Sequence, residues 1–398
     1  MRQHMLELLN LQGFWVDGFT VEPAQLIVKL RSPRQTALCQ RCGQWSRRIH
    51  QIHARRVKHT RWGQRLVGLV ITRRRFWCRA CGRPFTEALP GIDRQRSTPA
   101  YRDSLVEALR RQSFSYVVEK TQSSPNVLYR VLHKATAAPI NWAAQGSGLT
   151  IGLDEHSYRG RHLVTGLTNI TAKKLLGLGT GDSQAELRRL LQGAEQADIV
   201  EVCMDMRLGY RTVVEELLPH TRIVADKYHV IAAANRVVDE LRRIIVNDRR
   251  HCRRLLLTGR ERLRPDQREK LEKLFRDYRP FPTLYQSYLV KEKVRMMYGA
   301  ARRTEAARRL EDIIMLCETG DTRYLKTFGR TLRLWREQIL NHFDRRSTNA
   351  FTEGVNTKIK MIKRMSFGFR NVHHYIAKVM LAFLPLAVAL ATLNHHTV

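Results

Sequence analysis

Between residues 149 and 230 the apolar residues switch repeatedly between strand and helix spacing, and the order of the switches restricts the fold more than any other feature. LTIGLDEHSY, HLVTGLTNI and KKLLGLGTG read as consecutive strands separated by short polar breaks. SQAELRRLLQGAEQ follows as an amphipathic helix, ADIVEVCMDM as a buried strand, YRTVVEELLP as a helix and TRIVADKYHV as a strand. The predicted order is βββαβαβ, a mixed sheet flanked by helices. It occupies only part of a chain of 398 residues, which has room for two or three domains at roughly 150 residues each.

That element order resembles the core of the ribonuclease-H-like fold. In such a sheet the middle of the first strand lies beside the end of the fourth, so Asp154 and Asp205 are expected to converge. Two adjoining carboxylates repel unless cations bridge them, and hard oxygen ligands with open positions suit Mg²⁺ or Mn²⁺. Strand alternation sends Glu155 to the opposite face from Asp154 and out of the ligand set. His156 shares the Asp154 face and is expected to be a packed histidine.

A third acid stands alone in the basic stretch STNAFTEGVNTKIKMIKR. Phe351, Val355, Ile359 and Ile362 recur at helical spacing as a buried stripe, with Glu353, Asn356, Lys360 and Arg364 on the other side. Ser347, Thr348 or Asn349 is placed to cap the helix start. A surface glutamate offsetting nearby lysines accounts for Glu353 in isolation. Taken with Asp154 and Asp205, it is expected to be a third metal ligand, with Lys360 and Arg364 available to phosphate.

Charge supports such a partner. Seventy Lys and Arg against 36 Asp and Glu give a formal net charge of +34, spread over every third of the chain, which points to a long polyanion such as duplex DNA. A membrane partner ranks lower: the most apolar stretch, Val379 to Leu393, is interrupted by Pro385 and reads as a buried helix, and Glu7 spoils a signal-peptide plan. Seven cysteines form no secreted disulfide framework, and a reducing cytoplasm is expected.

Four of those cysteines form two Cys-x-x-Cys pairs, Cys39 with Cys42 and Cys78 with Cys81, each followed by a glycine that permits positive φ, Gly43 and Gly82. Four thiolates on two such turns suit one closed, structural Zn²⁺ site. His50, His53 and His59 are expected to be solvated. Residues 66 to 77 read as sheet with a basic exposed side carrying Arg73, Arg74 and Arg75, so residues 1–95 are expected to be a small zinc-binding β module that contacts DNA. Residues 96–146 then read as three short helices broken before Pro125, a helix-turn-helix presenting Asn126, Tyr129, Arg130 and Lys134 to a DNA groove. The α/β domain is assigned to 147–231 with 344–398, and 232–343 carries helical runs without a convincing strand.

The two Cys-x-x-Cys-Gly turns, IGLDEHSYRG, VCMDMRLGY, IVADKYHV and STNAFTEGVNTKIKMIKRMSFGFRN together resemble DDE insertion-sequence transposases of the ISL-three family. The resemblance implies that Asp154, Asp205 and Glu353 form a catalytic triad, and that the helical segment is an insertion in the catalytic domain. Asp226 and His229 resemble an Asp-x-x-His signature and are assigned beside the site, with Asp226 the alternative to Asp205 as second ligand. Trp335 is either a core residue or a platform for a flipped base. The activity implied is cleavage at the element's terminal repeats and joining to target DNA with two Mg²⁺ or Mn²⁺ ions, by at least a homodimer, in the nucleoid-bearing bacterial cytoplasm. A structure-specific nuclease and a transposase-derived zinc regulator are the competing functions.

Overall fold

The computed structural model describes residues 2–93, 95–246, 251–278 and 282–395. It divides into two compact units, Met1–Ala138 with Ile362–Val398, and Pro139–Met361.

The first unit opens with α1 (Arg2–Leu8), β1 (Trp15–Val21), β2 (Gln25–Arg31), the short β3 (Ala37–Leu38) and β4 (Trp45–Ser46), the long β5 (Ile49–Trp62) and β6 (Arg65–Cys78), and β7 (Arg83–Thr86). The main sheet runs β1-β2-β6-β5, with β7 pairing the end of β6. Alternation buries Leu26, Val28 and Leu30 of β2 with Val67, Leu69 and Ile71 of β6, in one core with Met5 and Leu6 of α1. His59 corrects the expectation of a solvated residue. It is 3% exposed, and its ring nitrogens lie 2.9 Å from Thr98 Oγ1 and 2.8 Å from Leu9 O, so burial, which lowers its pKa, leaves no polar atom stranded. Then come α2 (Pro99–Arg111), α3 (Phe114–Thr121) and α4 (Pro125–Ala135). Thr98 and Ser113 cap α2 and α3, and Pro125 opens the first turn of α4.

The second unit is mixed α/β. Strands β8 (Leu149–Arg159), β9 (His162–Asn169) and β10 (Lys174–Leu178) lead through α5 (Gln184–Leu190) to β11 (Ile199–Met204), then through α6 (Leu208–Leu217) to β12 (Arg222–Ala225). The sheet order is β10-β9-β8-β11-β12. Strands β8, β11 and β12 are parallel, while β9 is antiparallel to both neighbours. Seven helices follow: α7 (Lys227–Ile245), α8 (His251–Leu257), α9 (Pro265–Asp277), α10 (Pro282–Met297), α11 (Arg303–Glu318), α12 (Arg323–Leu334) and α13 (Arg336–Arg345). Helices α7 and α10 to α13 share a core with the sheet, because Ile151, Val202 and Ile223 belong to one apolar cluster with Ile313, Leu332 and Trp335, while α8 and α9 pack in a separate cluster through Leu256 and Leu271. Trp335 is 1% exposed within it, which settles its role as packing.

Helix α14 (Ala350–Met365) docks its start on β8 by polar contacts. Thr352 Oγ1 donates to Asn349 Oδ1 at 2.7 Å and lies 2.7 Å from Thr168 Oγ1, while Asn349 Nδ2 donates to Leu153 O at 2.7 Å. Gly152 permits this approach. A Cβ there would stand 2.5 Å from Asn349 Oδ1, 2.6 Å from Thr168 Oγ1 and closer still to Thr352 Oγ1.

The chain ends in α15 (Val372–Phe383) and α16 (Leu386–His395), broken at Pro385. Both pack on α2 and α4 in the first unit, where Arg110 donates to Leu381 O and Leu384 O and the buried Lys378 donates to Gln112 O at 2.8 Å. Among the described residues no helix is long and apolar enough to cross a membrane.

Gly152→Ala is expected to cost about 1–3 kcal/mol of stability by overpacking the α14 contact. Denaturant unfolding of the whole chain measures this, and adding Thr352→Ala should return part of the loss.

Candidate active site

The parallel register lines up three acids. Cys203 pairs with Gly152 across β11 and β8, and Met204 with Ala225 across β11 and β12. Carried past the last pairs, that register sets Asp205 beside Asp154 on one side and beside Asp226 on the other. This is the carboxyl edge of the parallel strands, where open α/β sheets hold ligands.

Each acid meets different partners. Asp154, 7% exposed, accepts the Glu155 N–H on Oδ1 and the Asn356 Nδ2–H on Oδ2, both at 2.7 Å. Asp226 is fully buried and does not cap α7 with its side chain; Oδ1 accepts the Asn349 N–H at 3.1 Å and Oδ2 lies 3.1 Å from His229 Nδ1. Asp205 is about one third exposed at its side chain, with Oδ1 2.5 Å from His229 Nδ1. Ligand atoms of Asp154, Asp205 and His229 all lie within 4.8 Å of one another.

Burial, reinforced by the Asp205 charge, pushes the Asp154 carboxyl up to about 7, with Asp226 and Glu353 adding to the rise. Burial opposes charge on His229, but its contacts with Asp205 and Asp226 prevail and lift it to about 10. His229 Nδ1 thus lies between Asp205 and Asp226 and contacts both. Two adjoining carboxylates with ligand atoms within 4.8 Å of one another, one of them about a third exposed, fit a hard divalent cation.

Glu353 is exposed in the first turn of α14 and is not in the 4.8 Å set, although its charge reaches Asp154. Asn356, expected on the outward side with it, is instead 6% exposed and turned onto Asp154. The sequence signal for this inward polar face was the run Asn349, Thr352, Asn356 at helical spacing. Lys360 and Arg364 are exposed one and two further turns along. Glu155 lies outside the cluster, in an ion pair with Arg207, whose other terminal nitrogen is 2.7 Å from Asp182.

In the first unit the two cysteine turns meet. Cys39 Sγ lies 4.0 Å from Cys81 Sγ and Cys42 Sγ 3.5 Å from Cys78 Sγ, and all four sulfurs are within 4.8 Å. Tetrahedral zinc with bonds near 2.3 Å needs sulfurs about 3.8 Å apart. Gly43 and Gly82 take φ of 69° and 62°, the conformation each turn requires. Backbone N–H groups of Arg41 and Cys42 lower the Cys39 thiol to about 7.

The basic residues expected to meet DNA differ in their freedom. Arg74 is clamped by Glu87, 2.6 Å from its Oε2, and by Arg34 O, while Arg73 and Arg75 are half-buried. Asn126 and Arg130 are exposed on α4, whereas Tyr129 stacks on His374. Arg130 and Lys134 line a groove of about 1400 Å³ with Lys29, Arg56 and Lys58 of the sheet, and no acid among the described residues lines it.

A family model described as transposase matches residues 151–379, more than half of the chain. The chain belongs to the ISL-three family of transposases. A second model, described as the zinc-finger of transposase IS204/IS1001/IS1096/IS1165, matches residues 35–81 and so spans all four cysteines, which form a structural zinc site. The transposase for insertion sequence element IS1001 of Bordetella parapertussis is 26% identical over 405 residues, covering 96% of this chain and 98% of that protein. The transposase for insertion sequence element IS1557 of Mycobacterium tuberculosis is 28% identical over 263 residues, 58% of this chain and 59% of that protein. The ISL-three transposase is thus an enzyme of the DDE type with DNA as its substrate.

Metal analysis should find one zinc per chain, reduced in Cys39→Ser or Cys81→Ser protein, with faster proteolysis of residues 37–86. Asn356→Ala, which deprives Asp154 of a donor, should slow DNA cleavage about 10–100-fold and leave DNA affinity unchanged in a gel-shift titration.

Proposed function

We propose that this transposase binds the terminal repeats of an insertion sequence, hydrolyses a phosphodiester at each end and joins the freed 3′-OH to target DNA. Asp154, Asp205 and Glu353 are the catalytic carboxylates of a ribonuclease-H-like domain read at residues 147–231 and 344–398, of which 362–398 pack in the first unit, with 232–343 as its helical insertion. The observation that carries this reading is the register-adjacent Asp154 and Asp205 pair at the edge of the parallel sheet, whose ligand atoms lie with that of His229 within 4.8 Å of one another.

Asp205 is preferred to Asp226 as a ligand because Asp226 is fully buried and accepts the Asn349 N–H, whereas Asp205 is about one third exposed and lines an open cavity. Glu353 stands one turn before Asn356, which holds Asp154, and this shared helix face supports its role as the third ligand. Mg²⁺ or Mn²⁺, two ions when bound, would activate the attacking water and stabilise the leaving 3′ oxygen. The chain's own part is geometric. Asn356 and the Glu155 N–H fix the Asp154 carboxylate, His229 braces Asp205 against Asp226, and the Asn349 contacts hold the start of α14, which carries Glu353, against the sheet.

In hydrolysis, water oxygen forms the new bond to phosphorus, the bond to the 3′ oxygen breaks, and a water proton ends on that oxygen. In joining, the 3′-OH takes the place of water at a target phosphorus. No covalent intermediate with the protein is required.

The acid-free groove of Lys29, Arg56, Lys58, Arg130 and Lys134 supports recognition of terminal repeats by the zinc module (1–95) and a helix-turn-helix (96–146). Arg73, Arg74, Arg75 and Asn126 belong to that DNA surface, and Lys360 and Arg364 to the catalytic one. Handling two ends together calls for at least a homodimer, working at the nucleoid in the bacterial cytoplasm.

Terminal-repeat DNA with Mg²⁺ tests the whole reading on a sequencing gel. Wild type should nick and then join; nicking alone would indicate a nuclease and binding alone a regulator. Glu353→Gln and Asp205→Asn should each abolish both steps while binding DNA normally, and cleavage retained by Glu353→Gln would remove the triad.

A further inference from the structure

Beyond Asp205 and His229, a cavity of about 600 Å³ continues between α7 and α12. Its α7 wall carries His229, Ala233, Arg236 and Glu240, at helical spacing on one face. Its α12 wall carries Arg323, Thr327 and Thr331, also on one face. The Arg236 guanidinium has no ion pair or hydrogen bond among the described residues. Among the described residues Arg323 meets only its neighbour Tyr324, with its guanidinium 5.2 Å from the ring centroid and a terminal nitrogen 3.4 Å from the hydroxyl. The acids lining the cavity are already engaged: Asp205 with His229, and Glu240 with Arg243 at 3.1 Å. Among the described residues two cations are thus left without an acidic partner along a path that begins at the candidate active site.

We propose that this α7–α12 cleft holds the element-end strand that carries the scissile phosphate, with Arg236 and Arg323 gripping phosphates beside the cut. The inference rests on the proposed catalytic site and adds to it the route of the substrate strand. Seven residues of helix separate His229 from Arg236, roughly 10 Å of rise. Phosphates on one strand follow at no less than about 3.4 Å each, so Arg236 meets a phosphate at most about three nucleotides from the reacting phosphorus. Thr327 and Thr331 present hydroxyls on the opposite wall, a donor type that meets DNA backbone without reading sequence. Arg236 and Arg323 are positioning residues, since they touch phosphates that do not react.

The test pairs each arginine with single neutral phosphates. Methylphosphonates are placed one at a time within four nucleotides of the cut, in the element end or, separately, in target DNA. At one or two element-end positions the substitution should slow wild-type cleavage about tenfold. Arg236→Ala should slow cleavage of unmodified DNA to a similar degree, yet show no added loss at its own position; Arg236→Lys should recover part of the rate. Equal added losses at every position in both proteins would overturn the assignment, as would sensitivity confined to target DNA.

A second readout needs no catalysis. In Glu353→Gln protein, adding Arg236→Ala should lower the slope of log affinity against log salt by about 1. An unchanged slope would overturn the cleft proposal alone. Wild-type cleavage by Glu353→Gln would instead show that the catalytic assignment had failed.

Discussion

The parallel register of β8, β11 and β12 puts Asp154, Asp205 and Asp226 in one row, and the second unit has to be built to tolerate it. Adjacent carboxylates in a poorly solvated edge repel, and burial first, then the Asp205 charge, raise the Asp154 pKa. Two devices offset the repulsion within the chain itself. His229 supplies a positive charge between Asp205 and Asp226, and Asn349 and Asn356 donate to the outer pair, Asp226 and Asp154. Asp205, about one third exposed, is the member of the row that lines the open cavity, so the residual electrostatic demand sits where the cavity opens.

The same helix that carries Glu353 is also the one that stabilises the row. Its start is fixed to β8 by the Asn349, Thr352 and Thr168 contacts, which exist only because Gly152 lacks a side chain. Backbone proximity here is a structural requirement with a chemical result. The first turn of α14 reaches the sheet edge, and its acid stands within electrostatic range of Asp154.

Much of this was legible in the residues. The strand and helix order from 149 to 230 was clear because each element has a strong period, and convergence of Asp154 with Asp205 follows from that order. The cysteine turns were clear because their glycines repeat. Contacts between residues far apart in the chain were not legible. Nothing local marks His59 as the buried partner of Leu9 and Thr98, or α15 and α16 as packing on α2 and α4 through Arg110 and Lys378. Asn356 was misread for a related reason: helical spacing identifies a second face, but not whether another element covers it. Trp335 shows the reverse, since a large aromatic in a basic segment fits both surface and core until its neighbours are known.

The apolar seam joining Ile151, Val202 and Ile223 to Ile313, Leu332 and Trp335 sets a limit on how the enzyme can be dissected. Helices inserted after a strand are often thought of as an accessory that trimming would remove. Here the same side chains waterproof both parts, so a shortened catalytic core would expose a greasy flank and clump. Length in this protein is therefore imposed by solubility as much as by chemistry.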